Sequence, residues 1–171
     1  MKTFAALPGL PGYGDLPLQF SSTGIGMHSE GFVVEFFPKG NPSWIGNFQR
    51  GLTRLDEVLQ HPNGDAVIVI AGGDCYIVDI ASKLLIETFG GQFVAAIKIP
   101  DKSMVVLESS TDFEAVDQKG KAWRSERISW DGIRNVALQQ NVLTGEAWSY
   151  EDIWIPFSLN LTTGKHEGGA F

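Results

Sequence analysis

Four carboxylates recur in pairs: Asp74 and Asp112 lie thirty-eight residues apart, and so do Asp79 and Asp117. Two carboxyl groups held about 5 Å or about 6.5–9.5 Å apart can hydrolyse a glycoside, one as acid and the other as nucleophile or base. A carboxylate-dependent hydrolase is therefore one reading of the chain. Yet Asp74 follows Gly72-Gly73 and Asp112 follows Ser109-Ser110-Thr111. An Asp beside a turn bonds the turn's own backbone, and a position repeated for folding repeats without regard to chemistry. The turn role is the stronger reading, and no residue is assigned a catalytic part.

Other reactive types are scattered. His28, His61 and His166 stand far apart, without the spacing of a zinc site, and the His166-Glu167 pair lacks the second His of a zinc-peptidase helix. Gly9 through Gly14 and Gly24-Ile25-Gly26 end in no Gly-Lys-Ser/Thr, so they read as turns and not as phosphate cradles. Ser21, Ser22 and Ser43 lack the Gly-x-Ser-x-Gly setting of a nucleophile elbow. The one cysteine, Cys75, lies in an apolar run and reads as a core residue. The expectation is a protein with no metal and no cofactor.

Aromatic side chains remain: Trp44, Trp123, Trp130, Trp148 and Trp154, with Tyr13, Tyr76 and Tyr150. Most should be core, because aromatics bury large areas. Two stretches crowd rings beside charges near turns. They are Trp130-Asp131-Gly132-Ile133-Arg134 and Trp148-Ser149-Tyr150-Glu151-Asp152. Aromatic anchors with a polar fringe are the composition of interaction hot spots. The candidate binding residues are thus Trp130, Asp131, Arg134, Trp148, Tyr150 and Glu151.

The elements that position these groups are strands. Twenty glycines, eight prolines and eleven phenylalanines in 171 residues suit short strands joined by tight turns better than helices. The segment Ala66–Leu85 lies on Met104–Trp123 without a gap, with five identities in twenty positions: Val67/Val105, Asp74/Asp112, Val78/Val116, Asp79/Asp117 and Lys83/Lys121. Apolar positions coincide as well, through Ile68/Val106, Val69/Leu107 and Cys75/Phe113. Further echoes run through Leu143–Trp148 and Leu159–Lys165. Residues 1–30 form a Gly/Pro-rich N-terminal arm, and residues 31–171 a single all-β domain that begins with a strand at Gly31–Phe37. Leu52, Leu55, Val58 and Leu59 give the one helical spacing, between Trp44 and Gln60, so the expectation is one short helix at most, with an irregular loop as its competitor.

A net charge of -7, with Lys119, Lys121, Arg124 and Arg127 as the nearest approach to a basic run, argues against nucleic acid. No apolar stretch reaches the ~18 residues of a membrane span. Pro8 and Pro11 interrupt the apolar start, shortening it below the ~7–15 residues of a signal sequence. The expected setting is cytoplasmic, with a protein partner, no nucleic acid and no membrane; a homo-oligomer fits as well.

Phe113-Glu114-Ala115-Val116-Asp117-Gln118-Lys119-Gly120-Lys121-Ala122-Trp123 resembles the hairpin of β-propeller-type repeats of the quinoprotein and WD40-like kind. There an apolar residue and Asp precede a Gly-Lys turn, and Trp closes the returning strand. The resemblance implies propeller-blade-like repeated antiparallel sheets, in a small, incomplete or irregular propeller; a two-sheet β-sandwich is the alternative. A closed propeller needs typically 4–8 blades, and the chain has room for about four. The quinone does not carry over, since it occupies a complete ring. The resulting functional expectation is a non-catalytic binding module contacting another protein, of which an inhibitor or immunity-type protein is one form. The alternatives are a carbohydrate-binding domain using exposed aromatics and the hydrolase above.

Overall fold

The structure is a computed structural model that describes residues 3–24 and 29–171, so His28 and Gly26 lie outside the described residues. It is all-β, and the described residues form sixteen strands in four sheets of four, each sheet separate from the others. The chain divides into two compact units, Met1–Phe93 and Val94–Phe171.

The first unit holds two sheets. Strands β1 (Phe4–Ala6), β2 (Leu18–Phe20), β3 (Phe32–Phe36) and β4 (Trp44–Phe48) form one, in the order β1-β3-β4-β2, with β2 running parallel to β4. Two of its strands thus come from within the first thirty residues. The other sheet is an antiparallel meander of β5 (Glu57–Gln60), β6 (Ala66–Ala71), β7 (Asp74–Asp79) and β8 (Leu84–Gly90). All six residues of β6 are buried, as its unbroken β-branched run requires. Gly72 and Gly73 join β6 to β7 with φ of 55° and 86°, the two positive values that a tight hairpin of this twist demands. Neither the short helix nor its competing loop accounts for the stretch between Trp44 and Gln60. That stretch supplies β4 and β5 instead, because pairing with β3 and β6 outweighs a weak three- and four-residue spacing. The two sheets share a core in which Phe36 stacks on Trp44 at 4.3 Å and Phe20 on Phe48 at 4.6 Å.

The second unit is also two meanders. β9 (Ala95–Ile99), β10 (Met104–Glu108), β11 (Phe113–Asp117) and β12 (Gly120–Arg124) form one; β13 (Ile133–Gln139), β14 (Val142–Trp148), β15 (Trp154–Asn160) and β16 (His166–Gly168) form the other. Their core joins Val106, Phe113 and Ala115 to Leu143, Phe157 and Leu159.

The repeat is real at the level of pairing. Val67 faces Val78 and Val105 faces Val116; Val58 faces Val69 and Ala96 faces Leu107. Three strands therefore keep one offset of thirty-eight. The fourth does not: Ile77 faces Glu87, whereas Ala115 faces Trp123. The β11–β12 turn is two residues shorter, so Trp123 matches Glu87 and not Leu85. Both outer strands carry one extra residue at the same place, Ile86 and Ala122. Blade-like antiparallel sheets are thus present. The echo of Leu159–Lys165 also falls on a third-to-fourth-strand turn, while that of Leu143–Trp148 equates a second strand with a fourth and has no structural counterpart.

Each unit ties its sheets with one indole. Trp44 Nε1 donates to the Ile80 carbonyl at 3.0 Å, and Trp123 Nε1 to the Leu161 carbonyl at 2.9 Å. Ile80 and Leu161 hold the same place, just after the third strand; Trp44 is buried and Trp123 half-buried, so each N–H is better paired than left open.

Candidate functional site

Four residues of the second unit gather exposed aromatic surface. The Ser129–Gly132 turn is locked to the end of β14: Ser129 Oγ donates to the Gly132 carbonyl at 2.6 Å, Trp130 N–H to the Trp148 carbonyl at 3.1 Å, and Trp148 N–H to the Gly132 carbonyl at 2.9 Å. These bonds fix the Trp130 backbone while its side chain stays outside. The next turn, Ser149–Ile153, closes through Ser149 N–H on the Ile153 carbonyl at 2.9 Å and carries Tyr150 outward. Beyond β16, Ala170 donates its N–H to the Ile128 carbonyl at 2.7 Å, which places Phe171 beside Trp130.

The rings meet edge to face. Trp130 and Tyr150 lie 5.6 Å apart at 70°, and Trp130 and Phe171 4.9 Å apart at 60°. Their exposures are 41%, 69% and 59%. Arg127 sits 4.5 Å from the Phe171 centroid and 5.6 Å from that of Trp130. Its Nε and Nη2 donate to the Ser129 and Trp130 carbonyls at 2.9 and 2.5 Å, so it is held rigid, and it makes no ion pair among the described residues. A rigid cation over exposed rings costs little entropy to bury in a complex.

The six sequence candidates distribute unevenly around this knob. Trp130 and Tyr150 are in it, and Glu151 Oε1 lies 3.5 Å from the Tyr150 hydroxyl. Trp148 is half-buried and serves the turn, donating from Nε1 to Asp152 Oδ1 at 3.0 Å. Asp131 is exposed. Arg134 belongs to a neighbouring stack, 4.0 Å over Trp154 and 2.9 Å from Glu146 Oε2. That bond, with another from Asn135, holds the Glu146 carboxyl below its ordinary range. Sequence reasoning missed Arg127 and Phe171. Arg127 enters the sequence reading only as part of the nearest approach to a basic run, and Phe171 reaches Trp130 only through the return of the chain after β15.

The repeated carboxylates all accept hydrogen bonds from neighbouring groups. Asp79 accepts from the Ser82 N–H and hydroxyl, both at 2.7 Å, which lowers its pKa. Asp117 accepts from Lys119 N–H at 2.7 Å, and Asn160 plays the same part toward Thr162 and Thr163. Asp74 accepts from Ser22 Oγ at 2.8 Å. Asp112 accepts from Ser109 Oγ at 2.5 Å and from Arg124 at 2.6 Å. His61 is buried with Nδ1 accepting from Asn63 N–H at 3.2 Å, and His166 Nδ1 lies 3.0 Å from the Gly168 carbonyl. No three His, Cys, Asp or Glu side chains among the described residues gather as a metal site.

One carboxyl is anomalous. Glu108 ends β10, is 8% exposed, and burial pushes its pKa up to about 7. It shares the face of Val106 and pairs across the ladder with Phe113 and Ala95.

The sequence matches no protein-family model, and no curated protein matches it. The propeller likeness therefore rests on the sheets alone. No helix among the described residues is long and apolar enough to cross a membrane, which leaves strand-built spans untouched.

Proposed function

We propose that this protein is a non-catalytic binding module that contacts another protein through the Trp130–Tyr150–Phe171 knob. The observation that carries this reading is the trio of rings, 41–69% exposed, braced by backbone bonds and by Arg127. Free surface of that kind, rich in Trp, Tyr and Arg, is what interfaces bury at their centres. A sugar prefers one flat surface to stack on, whereas here Trp130 meets Tyr150 at 70° and Phe171 at 60°, so the three rings make no common platform. Asp79 and Asp117 bond their own turns, Asp112 is held by Ser109 and Arg124 and Asp74 by Ser22, which weighs against their use in hydrolysis.

A photo-cross-linking residue at position 150, in the chain expressed in its native host, tests the reading. Protein adducts that vanish with Trp130→Ala are expected, together with a glycan array that stays blank. Glycan binding that depends on Trp130 supports the carbohydrate reading instead, and the absence of any protein adduct overturns the proposal.

A further inference from the structure

The turn between β5 and β6 carries a reactive pair that protein binding does not use. His61-Pro62-Asn63-Gly64-Asp65 holds the only Asn-Gly step in the chain. In such a step the glycine nitrogen, unshielded by a side chain, attacks the carboxamide carbon of the asparagine. The N–Cγ bond forms, the Cγ–Nδ2 bond breaks, and ammonia leaves with the proton of the glycine N–H, so that a five-membered succinimide remains. Water then opens the ring at either carbonyl and leaves aspartate or isoaspartate, without oxidant or cofactor. Asn63, Gly64 and Asp65 are exposed, and a Cβ on Gly64 would meet nothing within 4 Å, so solvent reaches the pair freely.

Both reacting groups are nevertheless tied down. Gly64 N–H donates to the His61 carbonyl at 2.9 Å, and Asn63 Oδ1 accepts from the N–H groups of Asp65 and Ala66 at 3.0 and 3.1 Å. Asn63 N–H donates to His61 Nδ1 at 3.2 Å, and Gln60 Nε2 closes the hairpin behind them by donating to the Gly64 and Ala66 carbonyls at 3.0 and 2.8 Å. We infer that Asn63 is a deamidation site guarded by its own turn: it stays intact while the β5–β6 hairpin is closed and is modified when the hairpin opens. Ring closure removes the Gly64 proton, so the bond to His61 must be lost. It also draws Cγ back onto the backbone, away from the donors of Asp65 and Ala66. In the open chain water already holds these places, and the ring forms without breaking any internal bond. Reclosure then depends on the product. Isoaspartate runs the main chain through the side-chain carbon and adds one backbone atom to the turn. The pairs Gln60/Val67 and Leu59/Ile68 fix the length the turn can have, and β6 beyond it is buried along its whole run. Aspartate keeps the normal backbone and the oxygen that Asp65 and Ala66 use. The isoaspartyl form is thus a one-way record that the hairpin has opened.

Incubation of the whole chain at neutral pH, folded in buffer and unfolded in guanidinium chloride at the same temperature, tests this by peptide mapping of position 63. The mapping must resolve positions, because Asp131-Gly132 can close the same ring with loss of water. The folded chain is expected to be modified at least tenfold more slowly than the unfolded one. Pro62→Gly loosens the turn and leaves Asn63 and Gly64 in place, so it should speed modification in buffer at least threefold. A circular-dichroism melt checks that this variant folds; if it does not, Gln60→Ala, which removes the two bonds that close the turn from β5, takes its place. After removal of guanidinium, chains with asparagine or aspartate at position 63 should recover the native melt, and isoaspartyl chains should melt lower or stay unfolded. Equal rates in the folded and unfolded chain overturn the inference, as do an unfolded chain that stays unmodified and a folded turn variant no faster than wild type. Isoaspartyl chains that refold and melt like the others overturn the one-way record. None of these readouts involves the knob, so the binding reading stands or falls separately.

Discussion

The β5–β8 and β9–β12 sheets are built to the same register, with the same extra residue in the outer strand, yet they differ in what fills equivalent places. Cys75 stands where Phe113 stands, Ile70 where Glu108 stands, and Tyr76 where Glu114 stands. They also turn opposite faces toward their own unit's core. In the first, Val67, Val69, Tyr76 and Val78 line it; in the second it is the alternate set Val106, Phe113 and Ala115. Both sets of remaining residues are buried too: Ile68, Ile70 and Cys75 in one sheet, Val105, Leu107 and Val116 in the other. The difference teaches that the ladder is the template shared by the two sheets, whereas the turns and the packing on each face are local. A strand buried on both sides tolerates such exchange, since neither face is committed to water.

Truncation should separate the two sheets most sharply at the Cys75/Phe113 position. Phe113 is fully buried against Phe157 at 5.8 Å, so Phe113→Ala should cost about 4 kcal/mol in urea unfolding. Cys75→Ala, at the same place in the other sheet, should cost about 1 kcal/mol, because far less volume is lost. Equal costs would show that the sites are not packed as described.

The Ile70/Glu108 position should give the next effect, and it depends on pH. Burial raises the Glu108 carboxyl from 4.5 to about 7, so the folded chain holds this proton more tightly than the unfolded chain. Its contribution to stability is fully present below about pH 4.5 and is lost as pH rises through 7. The shift corresponds to at most about 3 kcal/mol. Glu108→Gln should therefore stabilise the protein relative to wild type at pH 8 and make little difference at pH 4, a gap read from unfolding midpoints at the two pH values. A gap that is independent of pH would mean that the carboxyl is solvated.

Turn chemistry comes third. Gly72-Gly73 and Ser110-Thr111 occupy equivalent two-residue turns, but only the glycines have positive φ. The serine-threonine turn is instead closed by Ser109 Oγ, bonded to Asp112 and to the N–H groups of Thr111 and Asp112. A Cβ on Gly73 would lie 2.6 Å from Thr53 Oγ1 and 2.8 Å from the Phe93 carbonyl oxygen. Gly73→Ala should cost about 2 kcal/mol from strain and crowding, and Thr111→Ala less than about 0.5 kcal/mol. Reversal of that order in thermal melts would break the comparison.

The smallest effect belongs to the turn acids. Asp117→Ala should cost about 1 kcal/mol, and Asp117→Asn almost nothing, because Asn160 already makes the same bonds to backbone N–H groups. A large loss with Asn would mean that the charge, not the hydrogen bond, is what the turn uses.

Much of the two inner meanders was legible in the chain, because an ungapped offset through Val67/Val105 and Val78/Val116 can be kept only if both ladders share a register. The slip at the fourth strand was not, since a turn two residues shorter leaves Lys83/Lys121 aligned by type although they are not equivalent in space. The first sheet was hidden for another reason: β1 and β2 are three residues each and sit among prolines and glycines, where alternation has no length to show itself. At the knob, Trp130 and Tyr150 announce themselves by clustering near turns. Phe171 and Arg127 join them only through long-range pairing, which no local spacing encodes. Glu108 reads as an ordinary strand end and becomes unusual only once its neighbours close over it.

The extra residues Ile86 and Ala122 have a consequence for how copies can meet. β8 and β12 are the rims of their sheets, and β8 leaves Leu84 and Ile86 64% and 57% exposed. An uninterrupted rim of that composition would template a foreign strand and seed fibrils; a kink in the middle spoils the spacing that backbone zippering needs. Contacts made by this molecule are thereby steered away from main-chain annealing and toward side-chain insertion, which is reversible and can be chosen residue by residue.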